Sequence, residues 1–182
     1  MEIGQKRTRE ENYQEYLQLK ANPDYLDVTF DEQSGGVSAV HKEHCFDKQV
    51  GIGGLRRGEY EMAVVRVLRA DGNRIILLSE NDAGSSFNRF CDGLSNDLIV
   101  EIKSVEGKGQ WLIKTKLRDA AKQGADCVVI FFPVASLYTH LRITEGCRLF
   151  SSDPDSVHLQ DKIKIVVVIV ENQVVEMLKP PG

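Results

Sequence analysis

The stretch of residues 98–133 constrains the fold most, because a strand pattern, a helix pattern and a second strand pattern follow one another. The strand patterns are LIVEIKS at 98–104 and the wholly apolar CVVIFF at 127–132. Between them, residues 110–123 repeat apolar side chains at helical spacing, and Gly124 follows as a helix stop. This succession indicates a sheet with a helix packed on it.

Further strand and helix patterns lie on both sides of this stretch. Upstream, the sequence predicts two short strands within 26–45, a helix at 59–68 and strands at 74–79 and 90–94, with a polar loop at 81–88. Downstream it predicts a helix at 135–148 and a final hairpin of strands at 163–170 and 174–178. We therefore predict an α/β or α+β fold, with a mixed central β-sheet flanked by helices.

The length of 182 residues fits one domain with an appended arm. Residues 6–21 are highly charged and carry only a thin apolar stripe, which is typical of a surface or linking helix. We predict an N-terminal helical arm at 1–25 and an α/β domain at 26–182, with its core at 58–133.

Composition limits the class of protein. A net charge of −4 argues against a protein that simply coats nucleic acid, although it permits a small basic site. The four cysteines are widely spaced and form no CxxC pair, so a zinc ribbon is not expected. The N-terminus has no apolar signal core, and the longest apolar run, at 165–170, is too short to span a bilayer. We expect a cytoplasmic protein without a signal peptide, a transmembrane segment or a membrane partner.

Three ionisable residues share one face of a predicted hairpin. The strands that carry Asp92 and Glu101 are separated by Ser95-Asn96-Asp97, a hairpin signal. Because side chains alternate along a strand, Glu101 and Lys103 point to the same face. A turn at the second and third of these residues sets Asp92 directly opposite Glu101, and a turn at the first and second sets it diagonally. Both registers keep Asp92 on that face, whereas a loop of different parity would move it away.

This arrangement of charges predicts metal chemistry. Two carboxylates at paired positions have Cβ atoms about 5 Å apart and repel each other, and a divalent cation between them removes the repulsion. Hard oxygen ligands suit Mg²⁺ or Mn²⁺ better than zinc. Such an ion polarises a phosphate oxygen and activates water, and Lys103 beside it would orient that water or neutralise developing charge. The alternative is structural: the [DE]xK pattern recurs as EGK at 106–108, and Glu-Lys pairs are common at exposed strand ends.

The order of elements carries a resemblance to a known family. The predicted order resembles the core of the PD-(D/E)xK nuclease superfamily, which has a restriction-endonuclease-like fold. That order is a helix with a glutamate, a strand, an Asp-bearing strand, an ExK strand, a helix and a strand. DGLSNDLIVEIKS at 92–104, followed by a basic helix and KQGADCVVIFF, is similar to tRNA-nuclease C-terminal domains of contact-dependent growth-inhibition toxins. The sequence at 29–48 and 58–80 is similar to toxin-like C-terminal domains of Bacteroidetes phage and mobile-element proteins. The resemblance covers about residues 28–133.

The resemblance implies roles for particular residues. Asp92 and Glu101 would bind the metal, and Lys103 would be the catalytic lysine. Glu61 would complete the metal site as the acid of the first helix, with Glu59 as its competitor. We also expect the backbone carbonyl of Ile102 to contribute a ligand. The family's proline before the aspartate is absent, because Cys91 stands there.

The helix at 110–123 and the histidines add weaker signals. Lys114, Arg118 and Lys122 recur every four residues as a basic stripe, which is either a solvated face or a rail for phosphates, and Gln123 could add a contact. His41 and His44 lie in HKEH without a cysteine partner for zinc, so we expect surface histidines.

Together these features predict a nuclease that depends on Mg²⁺ or Mn²⁺ and hydrolyses phosphodiester bonds. The toxin resemblance implies RNA, and tRNA in particular, as substrate, and an immunity protein as a possible partner. DNA is the alternative substrate. A non-catalytic binding or structural module of a phage or mobile element is the alternative of a different class.

Overall fold

A computed structural model describes residues 2–79 and 91–180, which form an eight-stranded sheet with helices on both of its faces. The strands are β1 Tyr25–Phe30, β2 Val37–His41, β3 Arg74–Leu77, β4 Gly93–Ser95, β5 Leu98–Ser104, β6 Cys127–Phe132, β7 Ile165–Val170 and β8 Gln173–Leu178. The helices are α1 Arg9–Ala21, α2 Gly58–Ala70, α3 Leu112–Gln123 and α4 His140–Ser151. Short 3₁₀ segments lie at Ile52–Gly54, Ala135–Leu137 and Val157–Lys162.

The strands lie in the sheet in their chain order, from β1 to β8. Pairs β2–β3, β5–β6 and β6–β7 are parallel and are joined by crossovers through α2, α3 and α4, whereas the other neighbours are antiparallel. This arrangement confirms the predicted mixed sheet flanked by helices.

Several predicted boundaries differ from those observed. The strand predicted at 163–170 begins at Ile165, and the one predicted at 90–94 begins at Gly93. The helix predicted at 135–148 is instead a 3₁₀ turn followed by α4, because the Thr139 hydroxyl accepts the N–H of Arg142 at 3.2 Å and caps a new start. The predicted polar loop at 81–88 lies outside the described residues, as does Phe90.

Two apolar layers form the core. On one face, α2 packs Tyr60, Val64 and Leu68 against the central strands. On the other, α3 and α4 cover β6 and β7, whose residues are buried throughout. The predicted core residues of α3 are confirmed: Ile113, Leu117, Ala120 and Ala121 are all buried, and Gly124 ends the helix with φ 93°.

The N-terminal helix packs on β1 and β2. A capping box between Thr8 and Glu11 begins α1, and the buried Asn12 donates its Nδ2–H to the Gly35 carbonyl at 2.9 Å. Ile3 lies in the apolar layer beneath α2. The division of the chain at residue 25 stays a prediction.

None of the helices within residues 2–79 and 91–180 is both long enough and apolar enough to cross a bilayer.

Candidate functional site

The β4–β5 hairpin sets the geometry of the site. Ser95 pairs with Leu98 and Gly93 with Val100, so the turn consists of Asn96 and Asp97. Asn96 adopts the left-handed backbone conformation, with φ 51°, which asparagine tolerates better than most residues. Of the two registers considered from the sequence, the structure selects the one that sets residue 92 opposite residue 101.

Asp92 ends the pairing of these two strands. Its Oδ2 accepts the backbone N–H of Ile102 at 2.6 Å, and its own N–H donates to Glu101 Oε2 at 3.1 Å. Its carbonyl accepts the N–H of Leu78 at 2.9 Å. The Asp92 side chain thus binds the Ile102 N–H, which would otherwise pair with the backbone of the neighbouring strand. For this reason β4 begins at Gly93, and the two strands separate here.

Glu101 and Lys103 extend from β5 on the face that α3 covers. Glu101 is only 3% exposed, and the Lys103 ammonium contacts its Oε1 at 2.5 Å. The pair is therefore shielded from water, where a charge-assisted contact is stronger than at a surface.

Burial and the charges of neighbouring acids raise the pKa values of the two paired acids. The pKa of Asp92 lies well above its ordinary value because the carboxyl is buried and because Glu101 and Glu61 are close. The pKa of Glu101 is raised mainly by burial, although Lys103 opposes the shift. Buried carboxylates that repel each other are a frequent property of functional sites.

Glu61 approaches the same site from α2 and is held by a buried histidine. Its Oε2 lies 2.8 Å from Nε2 of His44, and Nδ1 of His44 lies 2.7 Å from the Leu78 carbonyl oxygen. The competing Glu59 is exposed and accepts the N–H of Arg56 at 2.7 Å, at the start of α2. Glu61 is thus the glutamate of α2 that faces the paired acids.

The prediction that His44 lies at the surface is wrong. Its side chain is 1% exposed, because the end of β3, α2 and the Phe46 ring enclose it. Both ring nitrogens lie at hydrogen-bond distance from oxygen atoms, and we therefore assign the ring as an imidazolium that donates to both and is paired with the Glu61 carboxylate. Burial alone would lower the pKa of His44, but the bonds to Glu61 and to the Leu78 carbonyl outweigh burial and raise it above 6.5.

The His44 contact predicts a pH-dependent contribution to stability. A histidine whose pKa is higher in the folded chain stabilises fully below the pKa of the unfolded chain, and this contribution is lost as the pH rises through the folded pKa. In EDTA, we expect the wild type to melt at a higher temperature than His44→Gln. This difference in melting temperature should be largest at acidic pH and should shrink above about pH 6.5. The exposed His158→Gln is the matched control and should show no such trend. A pH-independent difference for His44→Gln would contradict the imidazolium assignment.

The donor chemistry at this site fits a hard divalent cation, although the side chains are engaged elsewhere. Glu61 is bound to His44, Asp92 to the N–H of Ile102, and Glu101 to Lys103. Among the described residues, no group of three His, Cys, Asp or Glu side chains is arranged to hold a metal ion. Glu61 and Asp92 would have to turn towards Glu101 to share one, and the relief of repulsion among the three carboxylates favours that change.

The second ExK motif has a structural explanation. Both carboxylate oxygens of Glu106 accept hydrogen bonds from the Arg57 guanidinium, at 2.8 to 3.2 Å. This ion pair joins the end of β5 to the start of α2. The EGK segment is therefore a link between elements, and EIK is the motif that meets Asp92.

The predicted basic stripe of α3 does not form one continuous row of charges. Lys114 forms an ion pair with Asp153 at 3.1 Å, and Arg118 lies 3.8 Å from Asp119. Lys122 is exposed, whereas the carbonyl of Gln123 accepts the Cys91 thiol at 3.4 Å. Their contact with nucleic acid stays a prediction.

The sequence reasoning missed two residues beside the site. His44 contacts Glu61, and Lys116 of α3 is close enough to Lys103 for the two charges to interact. A signal for Lys116 was present, because its helical position borders the apolar face that meets the sheet. His44 stands out in the HKEH pattern, but nothing local to that pattern indicates its contact with Glu61.

The structure thus brings Asp92, Glu101, Lys103 and Glu61 within electrostatic reach of one another. The roles of Asp92, Glu101, Glu61 and the Ile102 carbonyl as metal ligands stay predictions. The role of Lys103 as catalyst also stays a prediction. Comparison of the chain with models of known protein families, with curated proteins and with solved structures found no match.

Proposed function

We propose that this chain is a metal-dependent nuclease that hydrolyses phosphodiester bonds and acts on RNA, and on tRNA in particular. The observation that carries this proposal is the pair of acids, Asp92 and the buried Glu101, at the point where β4 and β5 separate, with Lys103 in contact with Glu101. A carboxylate pair with raised pKa values and an attached ammonium is costly for stability, and a catalytic role explains why the chain carries it.

The order of elements supports the same proposal. Helix α2 with Glu61 is followed by the antiparallel strands β3, β4 and β5, and α3 then leads to β6, which is parallel to β5. This is the succession that the PD-(D/E)xK resemblance implies. The choice of RNA over DNA rests on the resemblance to toxin nuclease domains.

Each residue has a role in this proposal. Asp92, Glu101 and Glu61 would hold Mg²⁺ or Mn²⁺, which when bound would polarise the phosphate and acidify a water molecule. His44 would orient Glu61 through its Nε2–H, as outer partners orient metal ligands. The Lys103 ammonium would orient the attacking water and neutralise charge on the pentacoordinate phosphorus.

The test is incubation of the purified protein with total RNA and with plasmid DNA, in Mg²⁺ and in EDTA. We expect RNA fragments with Mg²⁺ only, and none from Glu101→Gln, because that change removes a carboxylate while keeping the size of the side chain. Cleavage of plasmid instead would indicate the DNA alternative. Failure to cleave either polymer in Mg²⁺ and Mn²⁺ would contradict the proposal and favour a non-catalytic binding module.

A further inference from the structure

A second polar site lies next to the acidic one. A cleft of about 330 Å³ opens between the loop before α2, the end of β5 and the start of α3. Ser104, which directly follows Lys103 in β5, lines it together with Arg57 and Lys116. The cleft is linked to the acidic site by Lys116, whose charge interacts with that of Lys103.

Arg57 and Lys116 bring positive charge to this cleft, and Lys116 has no ion-pair partner among residues 2–79 and 91–180. Arg57 is bound to Glu106, and Lys103 to Glu101. Lys116 is half-buried, and it forms no ion pair with the carboxylates in the described part of the chain. An ammonium that loses water without gaining a counter-ion destabilises the folded chain unless an anion binds beside it.

The titration of Lys116 agrees with this picture. Burial is the main cause that lowers its pKa, and the positive charges of Lys103 and Arg57 lower it further. The acids Asp119 and Glu106 offset these effects only in part. A nearby anion would reverse the shift and hold Lys116 fully charged.

We propose that this cleft binds a phosphate group of the nucleic-acid substrate, adjacent to the scissile phosphate, through the Lys116 ammonium and the Ser104 hydroxyl. The inference rests on the proposed function and assigns a substrate contact to the same site. It adds Lys116 to the contacts predicted for α3, of which the Lys114 ammonium is already paired with Asp153 at 3.1 Å.

The chemistry of the cleft favours a phosphate over other ligands. Its volume suits a small polar group, and the charge of Lys116 interacts with those of Arg57 and Lys103. Two acids also line it: Glu106 is neutralised by Arg57, whereas Asp47, whose Oδ1 accepts the N–H of Gln49 at 2.8 Å, keeps its negative charge in the loop before α2. The Ser104 hydroxyl can donate to a phosphate oxygen, and a lysine ammonium binds phosphate as a point charge.

The first test uses inorganic phosphate as the probe and needs no catalysis. The protein is titrated with phosphate in EDTA, with sodium chloride at matched ionic strength as the reference, and the backbone amide signals are followed by NMR. We expect saturable shifts at Ser104 and Gly107, and about tenfold weaker binding by Lys116→Gln, on the scale of one charge-assisted hydrogen bond. Lys122→Gln makes the same charge change at an exposed position of the same helix and should bind as the wild type does.

The second test measures the binding of a single-stranded RNA, with Ca²⁺ in place of Mg²⁺, at several salt concentrations. Lys116→Gln should reduce the slope of log affinity against log salt by about 0.7, the value for one phosphate contact on a single strand. Lys116→Arg should restore most of the affinity. Lys116→Gln should also melt at the same temperature as the wild type or higher, since it removes a half-buried charge that has no ion-pair partner among the described residues.

The outcomes separate this inference from the proposed function. Unchanged phosphate binding by Lys116→Gln, or an equal loss in Lys122→Gln, would overturn the inference even if the wild type cleaves RNA. Localised phosphate binding that depends on Lys116, in a protein that cleaves neither RNA nor DNA, would overturn the proposed function and leave a phosphate-binding cleft.

Discussion

Replacing Asp92 with asparagine is expected to lower the rate of RNA cleavage by at least about a hundredfold, which is the scale of losing one strong electrostatic contact in an active site. The same change should raise the melting temperature of the metal-free protein at neutral pH. Asparagine keeps an oxygen that can accept the N–H of Ile102, while it removes a buried negative charge close to Glu101 and Glu61. Calorimetric titration with Mn²⁺ should show weaker binding.

The sign of the stability change follows from the raised pKa of Asp92. A carboxyl group whose pKa is higher in the folded chain loses its proton more easily in the unfolded chain, so stability falls as the pH rises towards the folded pKa. Asp92→Asn removes this loss of stability at higher pH, because asparagine does not ionise. The gain in melting temperature over the wild type should therefore grow from acidic towards neutral pH, in EDTA.

Asp97→Asn is the matched control, because both aspartates precede the EIK motif. The Asp97 carboxylate accepts the N–H of Gln5 at 2.7 Å, because the N-terminal segment crosses the hairpin there. Asparagine can make the same contact, so cleavage and Mn²⁺ binding should change little. A larger loss of cleavage for Asp97→Asn than for Asp92→Asn would mean that the wrong aspartate has been assigned to the site.

Replacing Lys103 with methionine is expected to reduce cleavage about a hundredfold to a thousandfold, because the ammonium is the only part of the side chain that can act on the phosphate or on water. Methionine fills much of the same space but leaves Glu101 buried without its counter-ion. The pKa of Glu101 should then rise further, and the folded protein should be destabilised. Cleavage rates and melting temperatures measure the two effects.

A double variant separates catalysis from stability at this position. Lys103→Met with Glu101→Gln removes both charges of the pair, so the melting temperature should return towards that of the wild type while cleavage stays lost. If the Lys103→Met single variant cleaves RNA at the wild-type rate, Lys103 has only a structural role, as the partner of Glu101.

The chain's local pattern was sufficient to place its central elements. β5 and β6 lie at 98–104 and 127–132, as the apolar runs indicate. The apolar face of α3 is buried as its helical spacing predicts. These features depend on neighbours along the chain: periodicity sets the type of element, and Gly124 and Pro133 set its end. The shared face of Asp92, Glu101 and Lys103 follows from the same alternation once the parity of the turn is known.

Distant contacts chose between the two turns that the sequence left open. Asn96 donates its Nδ2–H to the Ile3 carbonyl at 2.6 Å and to Asn73 Oδ1 at 3.0 Å, and its Oδ1 accepts the N–H of Arg74 at 3.0 Å. These three partners lie 22 to 93 residues away, and together they hold Asn96 in the left-handed turn position. No pattern within the hairpin itself contains this information.

The sequence by itself determined the mixed sheet and the hairpin with its EIK motif, because hydrophobic periodicity and turn residues act locally. Only the tertiary structure decided which polar side chains meet. His44 is buried because the Leu78 carbonyl and Glu61 surround it. Lys114 and Lys116 are two positions apart on α3. Lys114 forms an ion pair with Asp153, whereas Lys116 lines the cleft. The partner of a polar side chain depends on which residues lie near it in the folded chain. Residue spacing along a helix or a strand does not indicate which residues of other elements lie opposite.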